Sequence, residues 1–171
     1  MKNILLPVIL LGLLLTEPAA AQDPISDSVV QIHVTNREPD FARPWAKGSP
    51  KQVTGSGVII EGKRILTNSH VVSYAIRILV QGHQVTERIP ARVLAVSPEM
   101  DLALLAIDND DFFSGRPALP LDLELPRAKD TISAYGYPIG GEQLSVTEGI
   151  VSRVEFSRYN FGAMGMRIQV D

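Results

Sequence analysis

The sequence predicts an all-β fold, and three observations carry that expectation. Helical periodicity is almost absent along the chain. Short β-rich runs recur at the spacing of a sandwich or a barrel. One long stretch rich in Pro, Asp and Gly then divides those runs into two sets.

Taken in order, Ser28 to Thr35 alternates around Val30, Ile32 and Val34, the period of a half-buried strand, with His33 facing outward. Asn36 to Lys51 holds three prolines and the single tryptophan, Trp45, and reads as a long surface loop. Val53 to Ile60 and Arg64 to Thr67 form a hairpin closed by Glu61, Gly62 and Lys63, where Gly62 supplies the freedom a tight turn needs. Ile76 to Val80 and Val85 to Val96 read as two strands flanking a turn at Gln81 to Gln84, with His83 in that turn. Asp101 to Ile107 is almost continuously apolar after its first residue, as expected for a strand buried on both faces. Asp108 to Arg127 is the connection between two subdomains. Thr131 to Tyr135, Gln143 to Thr147, Ile150 to Phe156 and Met166 to Val170 begin a second all-β unit of at most four strands.

The ends and the composition narrow the class. Lys2, the apolar run Ile4 to Leu15 and the small residues Ala19 to Ala21 form a secretory leader over residues 1–21, cleaved after Ala21. Its apolar run falls short of the roughly 20 residues that span a bilayer, so no stable membrane span is expected. The chain carries a formal net charge of -3, and removing the leader takes away one Lys and one Glu, which leaves that charge unchanged. A mildly acidic domain without a basic run excludes nucleic acid as the expected partner. With no cysteine there are no disulfides, no thiolate zinc sites and no lipidation at cysteine. An exported domain without disulfides relies on its core, which suits a periplasmic or secreted protein of bacterial type.

The chemistry concentrates on two residues. His70 follows a predicted strand and the turn residues Thr67, Asn68 and Ser69, where a strand can release a side chain into a cleft. Asp101 heads the apolar run and needs a partner, because burying an unpaired carboxylate is expensive. A histidine near its ordinary pKa of about 6.5 can take a proton from a serine hydroxyl and return it to a leaving amine, while an aspartate fixes its tautomer. The order His then Asp calls for a serine later in the chain. Taken singly, each residue is more simply a surface histidine or a strand-start aspartate.

The flanking residues resemble the Deg/HtrA family of trypsin-like serine endopeptidases. They are Gly55-Ser56-Gly57-Val58-Ile59-Ile60, Leu66-Thr67-Asn68-Ser69-His70-Val71-Val72 and Asp101-Leu102-Ala103-Leu104-Leu105, then Ala134-Tyr135-Gly136-Tyr137-Pro138-Ile139-Gly140-Gly141 and Ser145-Val146-Thr147-Glu148-Gly149-Ile150-Val151-Ser152-Arg153-Val154. The last two look closest to the plant-type Deg branch and its bacterial relatives. The resemblance implies a chymotrypsin/trypsin-like double β-barrel. The first barrel covers residues 22–113, the inter-barrel connection 114–130, and an incomplete second barrel 131–171. It implies His70 as general base, Asp101 as its orienting partner, and a nucleophile in a Gly-Asn-Ser-Gly-Gly loop beginning a few residues past Asp171. It further implies no cofactor and no metal, unfolded or misfolded protein substrates, an assembly as a homotrimer, and an inactive chain as it stands.

The remaining candidates read as structural. Ser56 lies mid-strand, Ser69 and Ser73 suit capping or turn roles, Ser114 belongs to the connection, and Ser145 and Ser152 belong to strands. His33 and His83 are scattered without metal-ligand spacing. Tyr135, Tyr137 and Phe156 read as core or cleft-wall aromatics, and Gly140-Gly141 as a turn. Two other functions compete. A catalytically dead trypsin-like module would bind peptides or partner proteins, and an exported barrel for a small ligand would keep His70 and Asp101 apart.

Overall fold

The computed structural model describes residues 23–46, 48–159 and 163–171. The leader expected over residues 1–21 lies outside the described residues. A single helical turn, α1 (Pro24–Ser28), opens on Asp23, whose carboxylate accepts from the Ile25 amide at 3.1 Å. Among the described residues no helix is long and apolar enough to cross a membrane.

Seven strands follow in one antiparallel sheet: β1 (Val29–Asn36), β2 (Lys51–Ile60), β3 (Arg64–Thr67), β4 (Ala75–Gln81), β5 (Arg88–Pro90), β6 (Arg92–Ser97) and β7 (Leu102–Ala106). Their order is β5-β4-β1-β2-β3-β7-β6. The two border strands are consecutive in the chain, with only Ala91 between Pro90 and Arg92. Two residues of chain reach no further than about 7 Å, so the sheet must curl until its borders meet at that corner. The apolar faces then turn inward. Val30, Ile32, Val34, Ile59, Ile65, Val80 and Leu105 are almost wholly buried, each contributing about 1.5–3 kcal/mol of transfer energy. The all-β expectation and the inward set Val30, Ile32 and Val34 are met.

Several element boundaries differ from the sequence reading, each for a physical reason. Val85 to Val96 is not one strand: Pro90 has no amide to donate, and the chain crosses there from one border of the sheet to the other as β5 and β6. β7 is not buried on both faces. Ala103 and Leu105 point into the core, while Leu102, Leu104 and Ala106 are half-buried on the outer face. His70 does not follow a loose turn but sits in a one-turn helix, α2 (Ser69–Val72). The start of the Asp108–Arg127 connection still belongs to the first unit: a 3-10 helix, Asp110–Phe113, buries Phe112 in the core, and Leu119 donates its amide to Ile59 O at 2.9 Å.

The second sheet holds three antiparallel strands, β8 (Thr131–Gly136), β9 (Ser145–Arg158) and β10 (Met164–Val170), in the order β10-β9-β8. The Glu148-Gly149 step, read as a gap between two strands, lies inside β9. Gly149 is there because the backbone of Asp171 crosses it; a β-carbon would lie 2.8 Å from Asp171 O. Phe156, expected in a core or cleft wall, is 64% exposed on β9. Side-chain hydrogen bonds tie the first unit to the connection and to the second unit. Ser28 Oγ donates to Pro117 O at 2.7 Å, and Gln31 Nε2 to Gly141 O at 2.8 Å. The Tyr135 hydroxyl donates to Asp23 at 2.5 Å, and Ser56 exchanges hydrogen bonds with Tyr137.

Candidate active site

The register of β3 against β7 brings the two candidate residues together. Thr67 pairs with Ala103, so two residues onward from Thr67 lies beside two residues back from Ala103, which sets Ser69 against Asp101. Ser69 Oγ donates to Asp101 Oδ1 at 3.0 Å, and the next residue is His70.

Local sequence then orients each side chain. Valines are weak helix formers, and one turn has no stability of its own, so α2 is held by burial of Val71 and Val72 in the core. With those two inward, His70 points out, its side chain 69% exposed. Ser73 Oγ closes the turn on Ser69 O at 2.9 Å, and Tyr74 leaves it with a positive φ of 55°. Asp101 ends a turn in which its amide donates to Pro98 O at 3.2 Å. It too has a φ of 55°, a conformation that costs a residue with a β-carbon about 1–2 kcal/mol. That cost is offset by what the turn achieves, since it directs the carboxylate back over α2.

Four donors converge on Asp101. The His70 amide reaches Oδ1 at 2.9 Å, the His70 Nδ1 reaches Oδ2 at 2.7 Å, and Ser69 Oγ and Asn68 Nδ2 complete the set. Partial burial pushes the Asp101 pKa up, but the His70 amide, the imidazole and the Ser69 hydroxyl outweigh it, so the carboxyl lies below its usual value and is anionic at neutral pH. An anionic carboxylate only accepts, so the hydrogen between it and the ring belongs to Nδ1. In the neutral ring, Nε2 then carries the lone pair, the state a general base requires. The small-ligand alternative required these side chains to be separated, and the 2.7 Å contact removes its premise.

His70 borders an open cleft of about 610 Å3, walled by β2 from Gln52 to Ser56, by Val71, and by Tyr137, Ile139 and Gly140 from the second unit. Tyr137 is thus a cleft-wall residue, and burial pushes its hydroxyl pKa up. The serine hydroxyls nearest the dyad in sequence, and Ser56 of the cleft wall, hold other partners: Ser69 on Asp101, Ser73 on Ser69 O, Ser97 on Glu99 and Ser56 on Tyr137. Ser69 is therefore not a cap, and Ser56 makes a structural contact from mid-strand. Among the described residues no serine hydroxyl is hydrogen-bonded to His70. The other two histidines lie apart. His33 Nε2 meets Gln81 Oε1 at 2.9 Å, and its pKa is lowered by burial and by Arg88; His83 sits in the β4–β5 turn.

The contacts made by Asn68, Ser69 and Ser56 were missed in the sequence, because each partner lies 30 or more residues away. The one available pointer was the polar run Thr67 to His70, set between the apolar pairs Ile65-Leu66 and Val71-Val72.

A rolled antiparallel sheet with a His–Asp pair at a cleft mouth defines a trypsin-like peptidase architecture. The trypsin-like peptidase domain family matches residues 55–171, and the chain belongs to it, among its Deg/HtrA members. It is 44% identical over 131 residues to "Serine protease DegP homolog" of Plasmodium falciparum (isolate 3D7), covering 77% of this chain and 15% of that protein. It is 38% identical over 164 residues to "Protease Do-like 4, mitochondrial" of Arabidopsis thaliana, covering 91% of this chain and 31% of that protein. The HtrA-type protease AlgW, solved with a decapeptide, superposes with a TM-score of 0.68 at 25% identity, over 86% of this chain and 49% of that one. The active form of a protease from M. tuberculosis shares the fold, with a TM-score of 0.63 at 21% identity over 85% of this chain and 58% of that one. The chain thus spans 15% and 31% of the lengths of the two relatives it matches.

Proposed function

We propose that the chain forms the His–Asp half of a serine endopeptidase that degrades unfolded or misfolded proteins. His70 acts as general base toward a serine hydroxyl and then as general acid toward the leaving amine, and Asp101 holds the ring in the Nδ1–H tautomer and stabilises the imidazolium. The observation that carries this reading is the 2.7 Å contact between His70 Nδ1 and Asp101 Oδ2 beside an open cleft. The nucleophile and the oxyanion-hole amides come from sequence following Asp171, in the glycine-flanked serine loop of the family. What supports this is that the serines nearest the dyad hold other partners, and that the matched relatives are several times longer. Assembly as a homotrimer and export behind the leader at residues 1–21 belong to the same reading.

Removing the serine or the histidine from such a triad costs about a million-fold in turnover, on the order of 8 kcal/mol of barrier lowering. The test is hydrolysis of unfolded casein by the full-length gene product, by its His70→Ala variant, and by the 171-residue chain. The reading expects activity in the first alone. Binding without cleavage by the full-length protein would replace it with the peptide-binding alternative.

A further inference from the structure

Asn68 occupies the position just before α2, with an extended backbone (φ -83°, ψ 145°), where an asparagine side chain ordinarily accepts from an amide two or three residues on. It makes no such bond. Its side-chain nitrogen donates instead to two atoms of one residue 33 positions away, Asp101 O at 3.1 Å and Asp101 Oδ2 at 3.3 Å. A carboxamide nitrogen has two hydrogens, so both bonds form at once. The first fixes the peptide of a residue whose φ is 55°, and the second holds the carboxylate oxygen that faces His70 Nδ1. We propose that Asn68 is a positioning residue of the dyad, clamping Asp101 in its left-handed turn so that the carboxylate is presented to the imidazole.

The inference rests on the protease reading for its consequence in turnover, but the clamp has a readout of its own. Asn68→Asp keeps the shape and is an equally good helix cap, while replacing the donor by an acceptor; Asn68→Ser also keeps the cap and is too short to reach Asp101. A capping role therefore predicts that Asn68→Ser behaves as wild type, and a clamp predicts that it does not; Asn68→Asp also sets a second carboxylate beside Asp101, so it perturbs the pair in either case. The 15N shifts of the histidine rings report which nitrogen holds the proton in the full chain. With only three histidines, His33 and His83 serve as internal controls for folding. The expected result is loss of the fixed Nδ1–H tautomer at His70 in both variants, with His33 and His83 unchanged. In the full-length protein, kcat should fall about 100-fold with KM little altered, the size expected for a small misplacement of a catalytic group. Asn68→Ser keeping the Nδ1–H tautomer and wild-type kcat would overturn the proposal. If the full-length wild type cleaves nothing, the protease reading fails, and the ring shifts still decide the clamp.

Discussion

Gly55 on β2 and Val71 on α2 meet where no β-carbon fits: one built on the glycine would lie 2.7 and 2.8 Å from the two Val71 methyls. The valine methyls are the short ends of a stiff side chain and cannot swing aside, and the next residue back is His70. The glycine of β2 therefore sets how deeply the histidine's own helix seats.

Gly55→Ala should lift α2 and destabilise the fold by about 1–3 kcal/mol, the usual range for overpacking. Val71→Ala in the same background should recover part of that loss, although each substitution alone is destabilising. A double-mutant cycle by urea denaturation measures the coupling, and additive effects would show that the two residues do not share the strain.

Asp101→Asn should lower kcat of the full-length protein by about 10,000-fold, because the amide no longer enforces the Nδ1–H tautomer. The same pair yields a pH signature in stability. The folded Asp101 carboxyl titrates below its ordinary value, so its contribution is complete above the unfolded pKa of about 3.9 and disappears as the pH falls through the lower folded value. Below pH 5, urea midpoints of wild type and Asp101→Asn should converge as the pH falls toward the folded Asp101 value. A gap that widens in acid would contradict the sign.

Ser56 Oγ accepts from the Tyr137 amide at 2.7 Å and donates to Tyr137 O at 3.4 Å, clasping the second unit to β2 at the cleft wall. Ser56→Ala should cost about 1–2 kcal/mol by leaving a half-buried amide unpaired. Hydrogen exchange should show the Tyr137 amide losing protection while the β1 and β2 amides keep theirs; unchanged exchange at Tyr137 would dismiss the clasp.

β10 pairs on one side only among the described residues and exposes Met164, Met166, Ile168 and Val170. Expressed alone, residues 22–171 should self-associate through that border, and Ile168→Lys should reduce the association, since a charged border strand resists pairing. Light scattering against concentration measures this. Equal association of both proteins would place the contact elsewhere.

Much of this site could be read in the chain, because its chemistry is written in short contiguous stretches. His70 closes a polar run between two apolar pairs, Asp101 heads an apolar run, and the inward alternation of Val30, Ile32 and Val34 needs nothing beyond local pattern. What could not be read was long-range. An apolar run such as Leu102 to Ile107 fits a one-faced or two-faced strand equally, and only its pairing with β3 decides which. Pro90 did mark the break between β5 and β6, but the pattern of Val85 to Val96 obscured it. Gly149 resembles a strand terminator until the backbone crossing it is known.

The corner at Ala91 has a consequence for how the protein is made. β3 must wait for β7 as its second neighbour, and among the described residues β6 pairs with β7 alone. The barrel cannot seal until residue 106 has left the ribosome, whatever the earlier strands have already formed. Until then the nascent chain offers two incomplete ladder borders and an open apolar interior, the condition in which a growing polypeptide most needs a chaperone's cover. The chain stays exposed to that hazard until its seventh strand arrives.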